Sequence, residues 1–67
     1  MTGMDNLKYY ASLYKNISKK DIIKFARVVG LEQRLGDKLK TYSLGMKQRL
    51  GIAQALLHSP KLLILDE

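Results

Sequence analysis

The chain has 67 residues, 46% of them apolar, and carries 12 Lys and Arg against 6 Asp and Glu, a formal net charge of +6. It has no cysteine, which excludes a disulfide framework or a thiolate metal site, and no apolar run approaching the roughly 20 residues that span a bilayer. A chain of this size buries only about 60% of the surface it exposes when unfolded, so its own core is marginal, and no signal-peptide pattern follows Met1.

Thr2 with Asp5 three positions on is a capping-box pattern, in which each side chain accepts from the other residue's backbone N–H. Leu7, Tyr10, Ala11 and Tyr14 then recur at i, i+3, i+4 and i+7, one face of a helix expected to end at Asn16. Tyr9 falls on another face and is expected to be exposed. Ser18 and Asp21 repeat the box for a second helix. Its stripe is Ile22, Phe25, Ala26 and Val29, widened by Val28, and Gly30 is the natural stop. A short helical turn is expected over Leu31–Leu35, then a break at Gly36-Asp37-Lys38 and a loop from Lys38 to Tyr42.

The third and longest helix is expected from Ser43, as N-cap, to about His58. Met46, Leu50, Ala53 and Leu57 share one face, with Ile52 and Leu56 beside them. Arg49 falls in that arc and must snorkel or meet a carboxylate. The expected core is Leu7, Tyr10, Ala11, Tyr14, Ile22, Phe25, Val29, Leu50, Ala53 and Leu57. Pro60 separates this helix from Leu62-Leu63-Ile64-Leu65, four apolar residues without alternation, which read as a strand buried on both faces. Such a strand needs neighbours and a second layer, so the chain reads as a mainly α piece, three helices and one terminal strand, of a larger α/β domain.

Two segments carry chemistry. Asp66 and Glu67 end the strand, where open α/β sheets place their ligands; locally they are either a cation and water site or the strand's exit into solvent. Ser43 and Gly45 open the long helix, whose N–H groups and partial positive charge favour phosphate; locally Ser43 is either a plain cap or a phosphate ligand. The basic balance points to an anionic partner or to a solvated face, since Lys15, Lys19, Lys20, Lys24 and Arg27 fall mainly on one side of the second helix.

Taken together, the run from Tyr42 to Glu67 resembles the signature-to-Walker-B stretch of ATP-binding-cassette ATPases. Tyr42 to Met46 resembles the signature, Gln48-Arg49 the pair that follows it, and Leu62 to Asp66 Walker B. The Tyr-Ser-Leu-Gly-Met-Lys-Gln-Arg form is similar to that of bacitracin-type and related drug exporters. The resemblance implies a partial nucleotide-binding domain of the P-loop NTPase fold: a helical subdomain at 1–42, a signature helix at 43–58 and a Walker B strand at 61–67.

It further implies ATP and Mg²⁺ as cofactors of the complete protein. Ser43 and Gly45 would meet the γ-phosphate held by a second ATP-binding subunit in a head-to-tail dimer. Asp66 would help hold Mg²⁺, and Glu67 would be the catalytic carboxylate. A transmembrane permease is the other implied partner, with exposed Tyr9 a candidate contact, and the location is cytoplasmic at the inner face of the membrane. Relative to the common Leu-Ser-Gly-Gly-Gln signature, Leu44 replaces the first Gly and Met46 the Gln. No Gly-x-x-x-x-Gly-Lys-Ser/Thr loop is present, and His58 precedes Walker B, so it is not the family's switch His. The 67 residues alone are therefore expected to be inactive. The competing expectation is a small basic helical module for nucleic acid or an acidic protein; no known reader motif supports it, and no nucleic-acid partner is expected.

Overall fold

The computed structural model describes residues 1–14 and 17–58. Three α-helices run α1 (Gly3–Ser12), α2 (Lys19–Val28) and α3 (Leu44–His58), and two single turns of 3₁₀ helix, Glu32–Arg34 and Leu39–Thr41, lie between α2 and α3. Each α-helix packs on the other two. The strand expected at 61–67, with Pro60, Asp66 and Glu67, lies outside the described residues; within them the extended pairing is a single antiparallel bridge between Thr2 and Lys38. No helix among the described residues is long and apolar enough to cross a membrane.

The helix starts follow from local chemistry. Thr2 Oγ1 accepts from the Asp5 N–H at 3.1 Å while the Asp5 carboxylate accepts from the Thr2 N–H at 3.1 Å. Ser18 and Asp21 do the same for α2, at 3.3 and 3.0 Å. These bonds hold both carboxyls below their ordinary range, with the backbone N–H of Thr2 and of Ser18 the leading causes.

The end of α2 is set by Gly30, whose φ of 77° lies in the left-handed region. Its N–H reaches the Arg27 carbonyl at 3.0 Å, and the Leu31 N–H reaches the Ala26 carbonyl at 2.8 Å. That pair is a Schellman motif, and it turns Leu31 into the core. α1 ends earlier than the expected Asn16. Leu13 and Tyr14 donate to the Tyr10 and Ala11 carbonyls in tightened three-residue turns, and the Ser12 hydroxyl donates to the Tyr9 carbonyl.

The core holds Leu7, Ala11, Ile22, Phe25, Leu50, Ala53 and Leu57 as expected, while Tyr10, Tyr14 and Val29 pack on its edge. Ala26, Leu31, Leu35, Tyr42 and Leu56 complete it. Val28 and Ile52, which flank their stripes and stand outside the expected core, are exposed, at 51% and 54%. Each sits at the flank of an apolar arc, and two neighbouring helices cover only the middle of such an arc. Arg49 is exposed, with a guanidinium nitrogen 3.8 Å from where a Gly30 Cβ would be. Across the bundle the Gln54 side-chain amide donates to Asn6 Oδ1 at 2.6 Å, tying α3 to α1.

Candidate functional site

Among the described residues the start of α3 differs from that of α1 in leaving backbone N–H groups free, as the α2 start also does at Lys19 and Lys20, and from both in carrying no carboxylate. Ser43 Oγ accepts from the Met46 N–H at 3.1 Å, the expected cap. The Lys47 N–H closes the first helical bond on the Ser43 carbonyl at 2.9 Å. Among the described residues the Leu44 and Gly45 N–H groups find no protein acceptor. Free N–H groups of this kind are the donors that helix starts present to anions.

No acidic residue stands in the first turn of α3, whereas Asp5 and Asp21 occupy that turn in α1 and α2. Lys47 adds a positive charge where the helix dipole already disfavours one. Thus two helix starts are neutralised by their own carboxylates, and the third retains its positive character. Ser43, Leu44 and Gly45 are all exposed, Leu44 at 74%. Among the described residues a Cβ on Gly45 would have only the Ser43 hydroxyl near it, at 4.0 Å. A ligand can therefore approach this backbone closely. The Ser43 oxygen uses a lone pair in the cap and keeps its O–H to donate, so capping and phosphate binding are compatible roles.

The segment is held from behind by Tyr42. Its ring is buried, and its hydroxyl donates to the Arg34 carbonyl at 2.6 Å. Burial first, and Asp37 second, push the phenol above its ordinary range, while Arg34 opposes them. The backbone at Tyr42 is extended (φ −72°, ψ 139°), so Tyr42 turns inward and Ser43 outward across one peptide. Neither Tyr42 as an anchor nor Gly3 as its neighbour was legible as functional. The signal available was a large aromatic residue at the end of the Lys38–Tyr42 loop, where the other apolar residue is Leu39.

Ser43 and Gly45 are thus brought together on one exposed turn. Asp66 and Glu67 lie outside the described residues. His58 is exposed at the far end of α3, with its ring 5.1 Å from that of Tyr14. Tyr9 is exposed, as expected, its ring edge-on to Tyr10 at 5.5 Å.

The ABC transporter family model matches residues 2–67. Over its whole length the chain is 57% identical to YdbJ of Bacillus subtilis (strain 168), an uncharacterized ABC transporter ATP-binding protein. It is 51% identical to the bacitracin transport ATP-binding protein BcrA of Enterococcus faecalis, and 45% identical to the lantibiotic transport ATP-binding protein SrtF of Streptococcus pyogenes. It spans 22% of the length of the first two relatives and 29% of the third. No solved structure matches it.

Proposed function

From the premise that this chain belongs to the ABC transporter family, we propose that it is the helical and signature portion of an ATP-binding subunit that drives transport. The observation that carries the reading is the start of α3. It is exposed, has no acidic residue in its first turn and is lined by a serine hydroxyl and a glycine backbone, in the segment that resembles the family's signature. Those groups fit a phosphate: the Gly45 N–H donates without a Cβ in the way, the Ser43 O–H donates beside it, and the helix dipole favours the negative charge.

The nucleotide supplies a γ-phosphoryl group whose transfer to water drives the cycle. Ser43 and Gly45 orient and neutralise that group when a second ATP-binding subunit presents it. At the end of the expected strand, Asp66 offers the hard oxygen that Mg²⁺ prefers. Glu67 accepts the proton of the attacking water. Two subunits meet head to tail, so these residues serve two different nucleotides. A permease in the membrane receives the motion, with the subunit on the cytoplasmic side. Relatives named for bacitracin and lantibiotic transport make a drug or peptide antibiotic the proposed cargo.

The 67 residues hold no phosphate loop, so calorimetry with Mg-ATP on this chain alone should show no tight binding and no turnover. Micromolar binding lost in Asp66→Ala would overturn that part of the reading. In a complete subunit, Glu67→Gln should keep ATP binding and lower turnover by about 10²–10⁴-fold. The assignment of the signature is tested by mixing a Gly45→Asp subunit with one whose phosphate loop is dead. Both defects then fall on one composite site, and activity should partly return. Loss of nucleotide binding by the Gly45→Asp monomer itself would show the segment to act in cis.

A further inference from the structure

We propose that Tyr42 is a positioning residue for the phosphate-facing turn, and that Gly3, 39 positions earlier, is the socket that holds it. The inference rests on the reading of Ser43 and Gly45 given above and extends it to the groups behind them.

The socket is built by the absence of a side chain. A Cβ on Gly3 would overlap the Tyr42 hydroxyl oxygen, and would also lie 3.2 Å from Tyr42 Cζ and 3.6 Å from Leu35 Cα. The start of α1 is fixed against the same loop by backbone bonds. The Gly3 N–H donates to the Asp37 carbonyl at 3.2 Å, the Met4 N–H to the Leu35 carbonyl at 2.9 Å, and the Leu39 N–H to the Met1 carbonyl at 2.9 Å. The Tyr42 hydroxyl closes the arrangement on the Arg34 carbonyl at 2.6 Å, and the Tyr42 N–H reaches the Leu39 carbonyl at 3.0 Å. Tyr42 is thus held at its phenol, its ring and its amide, one peptide away from Ser43.

Neither partner has slack. The ring cannot move toward α1 without meeting the Gly3 backbone, and it cannot withdraw without its own hydroxyl giving up the bond to the Arg34 carbonyl, which also accepts from the Asp37 N–H at 3.1 Å. The orientation of the Ser43 hydroxyl and the Gly45 N–H therefore depends on the fit between α1 and Tyr42. A displacement there of about an ångström is enough to misdirect a catalytic contact.

The test is a compensating pair in the complete ATP-binding subunit, with ATP binding by the monomer, folded fraction by circular dichroism and ATP turnover all measured. Gly3→Ala should lower turnover about tenfold while the folded monomer binds ATP as before, because the added methyl drives the phenol from its seat. Adding Tyr42→Phe deletes the overlapping oxygen and leaves the 3.2 Å approach to Cζ, which a small shift accommodates. The double variant should therefore recover most of that loss, although Tyr42→Phe alone lowers turnover.

Wild-type turnover in Gly3→Ala, a double variant no better than Gly3→Ala, or turnover that merely follows the folded fraction would overturn the proposal. If Gly3→Ala does not fold, Tyr42→Phe alone decides. Reduced turnover at unchanged ATP binding and folded fraction supports the seat, and unchanged turnover sinks it. A Gly45→Asp control separates the two readings. Normal ATP-driven closure in that control overturns the phosphate-facing assignment, and the role of the seat with it. Defective closure there, with no rescue in the double variant, overturns the seat alone.

Discussion

The starts of α1 and α3 are written in similar residues and are finished in opposite ways. Thr2-Gly3-Met4-Asp5 and Ser43-Leu44-Gly45-Met46 each place a hydroxyl cap and a glycine in the first turn. In α1 the glycine is buried, its N–H is bonded to Asp37, and its missing side chain leaves room for Tyr42. In α3 the glycine is exposed, its N–H is free among the described residues, and among those residues the space left by its missing side chain meets only the Ser43 hydroxyl, at 4.0 Å. The carboxylate that completes the α1 box is absent from α3, where Met46 stands instead. The α1 start has every donor matched from within, whereas the α3 start has donors and space left over among the described residues.

The sharpest way to break this comparison is to place the same carboxylate in both glycines. Gly3→Asp should destabilise the fold by about 3 kcal/mol or more, since it overpacks a closed seat and buries a charge. Gly45→Asp should leave the fold intact or stabilise it by about 0.3–1 kcal/mol, because an acid suits a helix start. In the complete subunit that same substitution should abolish ATP-driven closure. Thermal melts alongside a closure assay would test both halves, and equal destabilisation by the two changes would refute the distinction.

Removing the caps should have smaller effects of similar size, about 0.5–2 kcal/mol each for Thr2→Ala and Ser43→Ala. Only Ser43→Ala should also impair closure, leaving the monomer's own nucleotide binding unchanged. A closure defect in Thr2→Ala at full folding would blur the two starts into one structural class.

The smallest expected difference is in pH response. The folded-state values of Asp5 and Asp21 are lowered by their capping bonds. Their contribution is therefore present above the ordinary carboxylate value near pH 4 and is lost as pH falls through the lowered folded values. The first turns of α1 and α2 should fray in acid, read as faster exchange or shifted amide resonances at Asp5 and Asp21. The Met46 amide, bonded to a hydroxyl that does not titrate, should hold. Tyr42 behaves in the opposite sense. Its raised value means a contribution present below the ordinary phenol value near 10 and lost as pH rises through the folded value.

What the sequence made legible was what is local. Both capping boxes, the stop at Gly30 and the cap at Ser43 involve partners within five residues, so a linear reading contains all the atoms concerned. The middle of each apolar stripe was legible for the same reason. The departures lie at stripe edges, where Tyr10, Tyr14 and Val29, expected in the core, are only partly buried against it. Leu31, Leu35 and Tyr42 entered the core from turns that have no 3.6-residue repeat to announce them. Of the candidate site, the exposed residues Ser43 and Gly45 could be named from their motif. The seat behind them could not, because Gly3 and Tyr42 meet across most of the chain.

The closure of α1 onto the loop before α3 has a consequence for the order in which the molecule assembles. The bonds from Gly3 to Asp37 and from Met4 to Leu35 enclose a ring of chain that contains all of α2. Closing such a ring carries an entropic cost that a single helical turn does not, and each bond that follows is then local. α2 with its Leu31 turn can therefore nucleate early, while the α1 start docks late and opens first. Amide exchange at Gly3 and Met4 should report a cooperative opening distinct from that of Ala26 or Phe25. Tyr42 joins the α1 start to the turn that carries Ser43, so exchange at the Met46 amide should follow the opening at Gly3 and Met4.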